Sequence, residues 1–344
     1  MNFRTALLGA ATVAVGVTLA RAIRAQARAL EAVLPELRGL PLLRIPLDIR
    51  SNVVVRLINA LPLPVGEVAD GVELTTHTVA GRDGHPPVQV HVYGTAERAR
   101  PSGALLWIHG GGYVLGDAAG DHALCSRIAR DLGITVVNVN YRLAPADPFP
   151  AGLEDCYTGL RWLHDNAEDL GVDPDRIAIG GESAGGGLAA ALAQLAHDRG
   201  EVPVCFQLLV YPMLDDRTTL DESQPRTLVW SPASNMYGWT SYLGHRPGAE
   251  ENRPYAVPAR REDLSGLPPA WIGVGDLDLF HAEDTAYAGR LAEAGVPCQL
   301  EAVTGVYHGV LSMLPDAPTV VAFRRSATDA LAAALAPVRA GETR

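Results

Sequence analysis

What most restricts the fold of this chain is a series of short runs rich in β-branched and aromatic residues after residue 72. These are VELTTHTV (72–79), PVQVHVY (87–93), ALLWIH (104–109), ITVVNVNY (134–141), RIAIG (176–180), VCFQLLVY (204–211), PAWIGVG (269–275) and PCQLEAV (297–303). Each has the length and residue types of a strand. The first two alternate polar with apolar side chains and suit an antiparallel edge. The others are mostly continuous apolar runs separated by helix-length segments, the pattern of strands covered on both faces. Strand and helix in repetition predict an α/β fold with a mostly parallel sheet of eight strands flanked by helices. With 344 residues, 48% of them hydrophobic, the chain has the apolar surface that such a core needs.

Two stretches break the alternation. Residues 29 to 68 carry Pro35, Pro41, Pro46, Pro62 and Pro64 among leucines, which predicts short helices interrupted by proline. Between Met213 and Pro258 a long excursion carries Trp230, Tyr237, Trp239 and Tyr242, and long excursions of this kind serve as lids or binding loops. At the N-terminus, residues 5–20 are uncharged and bounded by Arg4 and by Arg21, Arg24 and Arg28. Three readings stay open for them: a membrane-associated helix, a helix packed on the protein, or a cleaved signal.

Charge and rare residues exclude some function classes. The net charge of −11, with no basic stripe interleaved with aromatics, argues against nucleic acid as a partner. Cys125, Cys156, Cys205 and Cys298 stand far apart in apolar stretches and read as reduced core thiols. No histidine falls in a short ligand motif, so neither a metal nor another cofactor is expected.

The turn GGESAGGG (180–187) lies where strand RIAIG becomes the helix AGGGLAAALAQLAHDRG, which Gly200 is placed to cap. Gly181, Glu182, Ser183, Ala184 and Gly185 match Gly-x-Ser-x-Gly in the strand-to-helix setting that motif requires. Glycines two residues either side of the serine let strand and helix approach closely, and the turn presents the hydroxyl beside free N–H groups at the helix start. The plain alternative is a glycine-rich helix start packed on a sheet, or one that binds phosphate.

A serine nucleophile needs a base, a group to orient it and donors for the oxyanion. HGGG (109–112) follows a strand and can turn backbone N–H groups into a cavity, with Ala184 N–H as a further donor. Asp276 and Asp278 both follow strand PAWIGVG, at the carboxyl end where α/β sites lie, and spacing does not choose between them. His308 lies between Gly305 and Gly309, just after the last strand.

HGGGYVLG, NYRLAPADPFPA, DPDRIAIGGESAGGGLA, GDLDLF and YHGV, in this order, resemble the signatures of the hormone-sensitive lipase family of α/β-hydrolase esterases, from about Val72 to the C-terminus. The resemblance implies Ser183 as nucleophile, Asp278 as acid and His308 as base. It assigns the oxyanion hole to the N–H groups of Gly111, Gly112 and Ala184, and leaves His109 to brace the glycine loop. It implies an α/β-hydrolase core at 71–213 and 259–344, and a helical cap from 31–70 and the inserted 214–258. Residues 1–30 stand outside this likeness as an apolar N-terminal segment. Glu182 replaces the family's frequent Asp, and Leu279 stands where a proline often follows the acid.

The activity so implied is hydrolysis of short- to medium-chain acyl esters. An amide or N-acyl hydrolase using the same residues is the alternative, and a ligand receptor on this fold is disfavoured because His308 is present. The expected partner is a small-molecule ester in the cytoplasm, with membrane contact through residues 5–20 and a homodimer left open.

Overall fold

The computed structural model describes residues 20, 22–45, 48–61, 65–82, 84–221 and 227–337. The N-terminal part is a helix, α1 (22–32), followed by 3-10 turns at Pro35–Leu37 and Pro41–Arg44, then α2 (Asn52–Asn59). Both 3-10 turns begin with proline, whose fixed φ suits the first helical position and whose missing N–H loses nothing there. Ser51 caps α2 by accepting the Val54 N–H. All but the last of residues 5–20 lie outside the described residues. No described helix is long and apolar enough to cross a membrane.

From Glu73 onward strands and helices alternate: β1 (Glu73–Val79), β2 (Val88–Gly94), β3 (Ser102–Ile108), α3 (His122–Leu132), β4 (Thr135–Asn140), α4 (Ala151–Asp165), α5 (Ala167–Leu170), β5 (Val172–Glu182) and α6 (Ala184–Arg199). They continue with β6 (Phe206–Val210), α7 (Pro232–Leu243), β7 (Ala270–Gly275), α8 (His281–Glu293), β8 (Cys298–Val303), α9 (Val310–Met313) and α10 (Pro318–Ala334). Among the described residues the strands form one sheet in the order β1-β2-β4-β3-β5-β6-β7-β8. The pairs β1–β2 and β2–β4 are antiparallel and the rest parallel, as expected from the alternating first runs and the apolar later ones.

Strand periodicity divides the core in two. Leu106 and Ile108 of β3 face the layer holding Leu153 and Leu160 of α4, Leu188 and Leu192 of α6, and Leu291 of α8. Leu105 and Trp107 face the other layer, with Ile128 of α3 and Phe323 and Leu331 of α10. Alternate side chains of a fully covered strand point to opposite faces.

The structure departs from the sequence reading at two points. β5 begins at Val172, ahead of the run at 176–180, and takes in Asp173–Arg176, where the register with β3 jumps from Ser102↔Val172 to Ala104↔Ile177. The turn chemistry survives inside this bulge, because Asp175 N–H and the Arg176 guanidinium both donate to the Asp173 carboxylate. Of the four thiols only Cys125 and Cys156 are buried. Cys205 and Cys298 are half-exposed beside a groove of about 980 Å³ at the amino ends of β6 to β8, the end of the sheet opposite Ser183.

Candidate active site

Ser183 stands at the carboxyl end of β5 with φ 56° and ψ −122°, outside the helix that starts at Ala184. Positive φ is strained for a residue with a Cβ and persists only where the surroundings fix it. Here its N–H donates to Val210 O, and its carbonyl accepts the N–H groups of Gly187 and Met213. The flanking glycines are steric requirements. A Cβ on Gly181 would sit 2.4 Å from Gly185 O, and one on Gly185 would sit 2.1 Å from Ile108 O.

The structure brings His308 and Asp278 to this serine from different loops. Ser183 Oγ donates to His308 Nε2 at 2.8 Å, and His308 Nδ1–H donates to Asp278 Oδ2 at 2.7 Å. The other carboxylate oxygen accepts the Phe280 N–H. All three side chains are buried, and the rings of Phe280 and Tyr211 stand edge-on to the imidazole at 5.1 and 4.8 Å. Asp276 does not join them. It accepts the Gly305 N–H at 2.7 Å and so holds the loop that leads from β8 to His308.

The glycine loop lies across from the serine. Gly111 has φ 122° and Gly112 φ 61°, and a Cβ on Gly111 would sit 2.0 Å from Leu115 O. No acceptor is found among the described residues for the N–H groups of Gly111, Gly112 or Ala184, so three backbone donors remain for a ligand. Gly112 also has Trp230 against it, with a ring atom 2.0 Å from where its Cβ would stand. His109 stacks on Tyr141 at 4.3 Å, and its Nδ1–H donates to Gly110 O. Burial pulls its imidazole down to about 4, so it is neutral at pH 7 and braces the loop without charge.

The structure adds contacts that the sequence pattern did not reveal. Glu182, beside Ser183, accepts from the hydroxyls of Tyr211 and Ser312, which ties the serine's turn to α9 just past His308. Burial raises both Glu182 and Asp121, the latter to about 8, and the Glu182 charge adds to the rise at Asp121. Asn59, at the end of α2, donates to Val114 O and accepts the Gly116 N–H, which fastens the N-terminal segment to the glycine loop. Each of these contacts spans elements far apart in the chain, so no local spacing announces it.

Fold and site together define an α/β hydrolase, and a family profile described as alpha/beta hydrolase fold matches residues 105–312. The chain belongs to this family, in its hormone-sensitive-lipase-like branch of esterases. Carboxylesterase NlhH of Mycobacterium tuberculosis is 36% identical over 239 residues, 67% of this chain and 74% of that one. The ethyl acetate hydrolase of Pseudomonas putida is 35% identical over 234 residues, again 67% and 74%. Among solved structures, a bacterial heroin esterase superposes with a TM-score of 0.79 at 36% identity, covering 90% of this chain and 99% of that one.

Proposed function

We propose that the protein hydrolyses short- to medium-chain acyl esters by two-step acyl transfer. His308 takes the Ser183 proton as Oγ attacks the ester carbonyl, and the N–H groups of Gly111, Gly112 and Ala184 hold the oxyanion. His308 then protonates the leaving alcohol. In the second step it activates water, which releases the acid and restores the serine. Asp278 keeps the imidazole in the tautomer with Nδ1–H and stabilises its cation. The observation that carries this reading is that one buried imidazole bridges Ser183 at 2.8 Å and Asp278 at 2.7 Å.

The proposed cap comprises 31–70 and 214–258 over a core of 71–213 and 259–344. Its two parts are joined where Ile49 N–H donates to Ser234 Oγ, Ser231 donates to Asp48 and Tyr237 donates to Asn52. Trp230 against the glycine loop supports a short acyl chain, since the ring fills space beside the oxyanion donors. Membrane contact through residues 5–20 and a homodimer also belong to the proposal. The outer edge of β8, which has no neighbouring strand among the described residues, supports the dimer. Ser183→Ala should lower kcat on a chromogenic butyrate ester by at least about 10⁴-fold with the fold intact. A variant that keeps wild-type turnover ends the reading. An acyl series of esters and matched amides checks the substrate class, and higher efficiency on long chains or amides overturns it.

A further inference from the structure

Seven of the ten large apolar side chains that are exposed among the described residues fall between Ile23 and Val65. Single exposed leucines need no explanation, but such concentration in one segment does. On α2, Val53 and Leu57 stand one turn apart at 66% and 64% exposure, and Leu61 follows a turn later at 63%. The only buried residue of the helix is Val55. A surface helix normally turns polar residues outward, so this outward ridge is reversed.

The same segment is reversed in charge. Residues 23–65 hold six arginines against three acidic residues, in a chain whose net charge is −11. Arg44 and Arg50 are exposed in the stretch that leads into α2 and Arg56 is exposed on the helix itself, Arg50 paired with Asp48 and Glu36 engaged by Thr319. All 28 basic residues of the protein are arginine, whose planar fork matches phosphate oxygens. An exposed apolar helix face that carries Arg56, in an arginine-rich segment of an otherwise acidic chain, complements a surface that is apolar beneath and anionic above.

We propose that the outer face of α2, with the exposed aliphatic residues on either side of it, docks on an anionic phospholipid bilayer. The docked face is joined to the site, because Asn59 of the same helix bonds Val114 O and Gly116 N just past the oxyanion glycines. The cap therefore rests on the lipid with the glycine loop behind it, and esters dissolved in the bilayer are the substrates within reach. Only this last point rests on the esterase reading. The docking stands on residues separate from 5–20.

The test uses the full chain in flotation with vesicles of equal parts phosphatidylglycerol and phosphatidylcholine, and with phosphatidylcholine alone. The chain should float with the anionic vesicles, less so as salt rises. The double variant Val53→Gln, Leu57→Gln should lower the partition by about tenfold or more, and Arg56→Glu should weaken binding to anionic vesicles only. Both variants change solvent-facing positions, so activity on a water-soluble butyrate ester should stay within about twofold. Flotation of the double variant equal to wild type overturns the proposal, as does a wild-type chain that does not float. A fall from dimer to monomer in the double variant, read by light scattering, also overturns it by assigning the ridge to a second copy. An inactive chain that floats sinks the esterase reading alone, and an active chain that does not float sinks the docking alone.

Discussion

Asp276 and Asp278 are two residues apart after β7, yet one meets the His308 imidazole while the other accepts the backbone N–H of Gly305. The two should respond differently to the same change. Asp278→Asn removes the charge that steadies the imidazolium and favours the wrong tautomer, so kcat on a butyrate ester should fall by about 10⁴-fold. Asp276→Asn keeps an oxygen for Gly305 N–H and should stay within about tenfold, whereas Asp276→Ala leaves that N–H unbonded and should fall further. Equal losses in Asp278→Asn and Asp276→Asn would mean that the loop's two carboxylates share one role. Spacing could not make this choice, because both residues follow the same strand and only the turn through Gly275 and Phe280 decides which faces the imidazole. The sharp turn at Ser183 was legible because its motif is local. Glu182's ties to Tyr211 and Ser312 were not, since a residue's partners across 29 and 130 positions leave no mark in a short window.

At the scale of elements, the junction of β5 and α6 is held by what its glycines lack. A methyl on Gly185 would meet Ile108 O at 2.1 Å and His109 O at 2.4 Å, backbone atoms that cannot swing away. Gly185→Ala should therefore cost about 3 kcal/mol in urea unfolding and displace Ser183, with activity lost as well. Gly289 offers the opposite case. It lies exposed in the middle of α8 with nothing within 4 Å of the added carbon, so Gly289→Ala should stabilise by about 0.5–1 kcal/mol and leave activity alone. If the two variants unfold alike, close approach at the elbow is not what selects glycine. The eight strands were legible because β-branched runs and helix-length spacers are strong signals, and the structure has a strand at each run. The bulge in β5 was not, because Asp173 and Pro174 carry the same turn chemistry inside a strand as before one. The bonds that join residues 48–52 to 231–237 were equally hidden, since they link segments about 185 positions apart.

At the scale of the whole molecule, the acidic surplus read from composition is unevenly placed, and some of the acid is deep inside. Glu283 is buried, and burial pushes its carboxyl up to about 8 although the N–H groups of Leu214 and Asp215 and the Thr218 hydroxyl all donate to it. The folded chain then keeps this proton until about pH 8, whereas the unfolded chain releases it above the ordinary 4.5. Between these limits the folded state binds more protons than the unfolded one, so stability falls as pH rises and levels off above about 8. His109 acts in the other direction and in a lower window. Held neutral down to about 4, it is protonated in the unfolded chain below 6.5, so its contribution is complete above 6.5 and is lost as pH falls towards 4. Between pH 6.5 and 8 the carboxyl therefore acts without opposition from the histidine. Glu283→Gln keeps a carbonyl for the two N–H groups and has no proton to lose, so its unfolding free energy should fall less steeply there than wild type, by about 1.4 kcal/mol per pH unit. Parallel curves for the two proteins would show that the three donors hold Glu283 ionised and that burial does not win at this site.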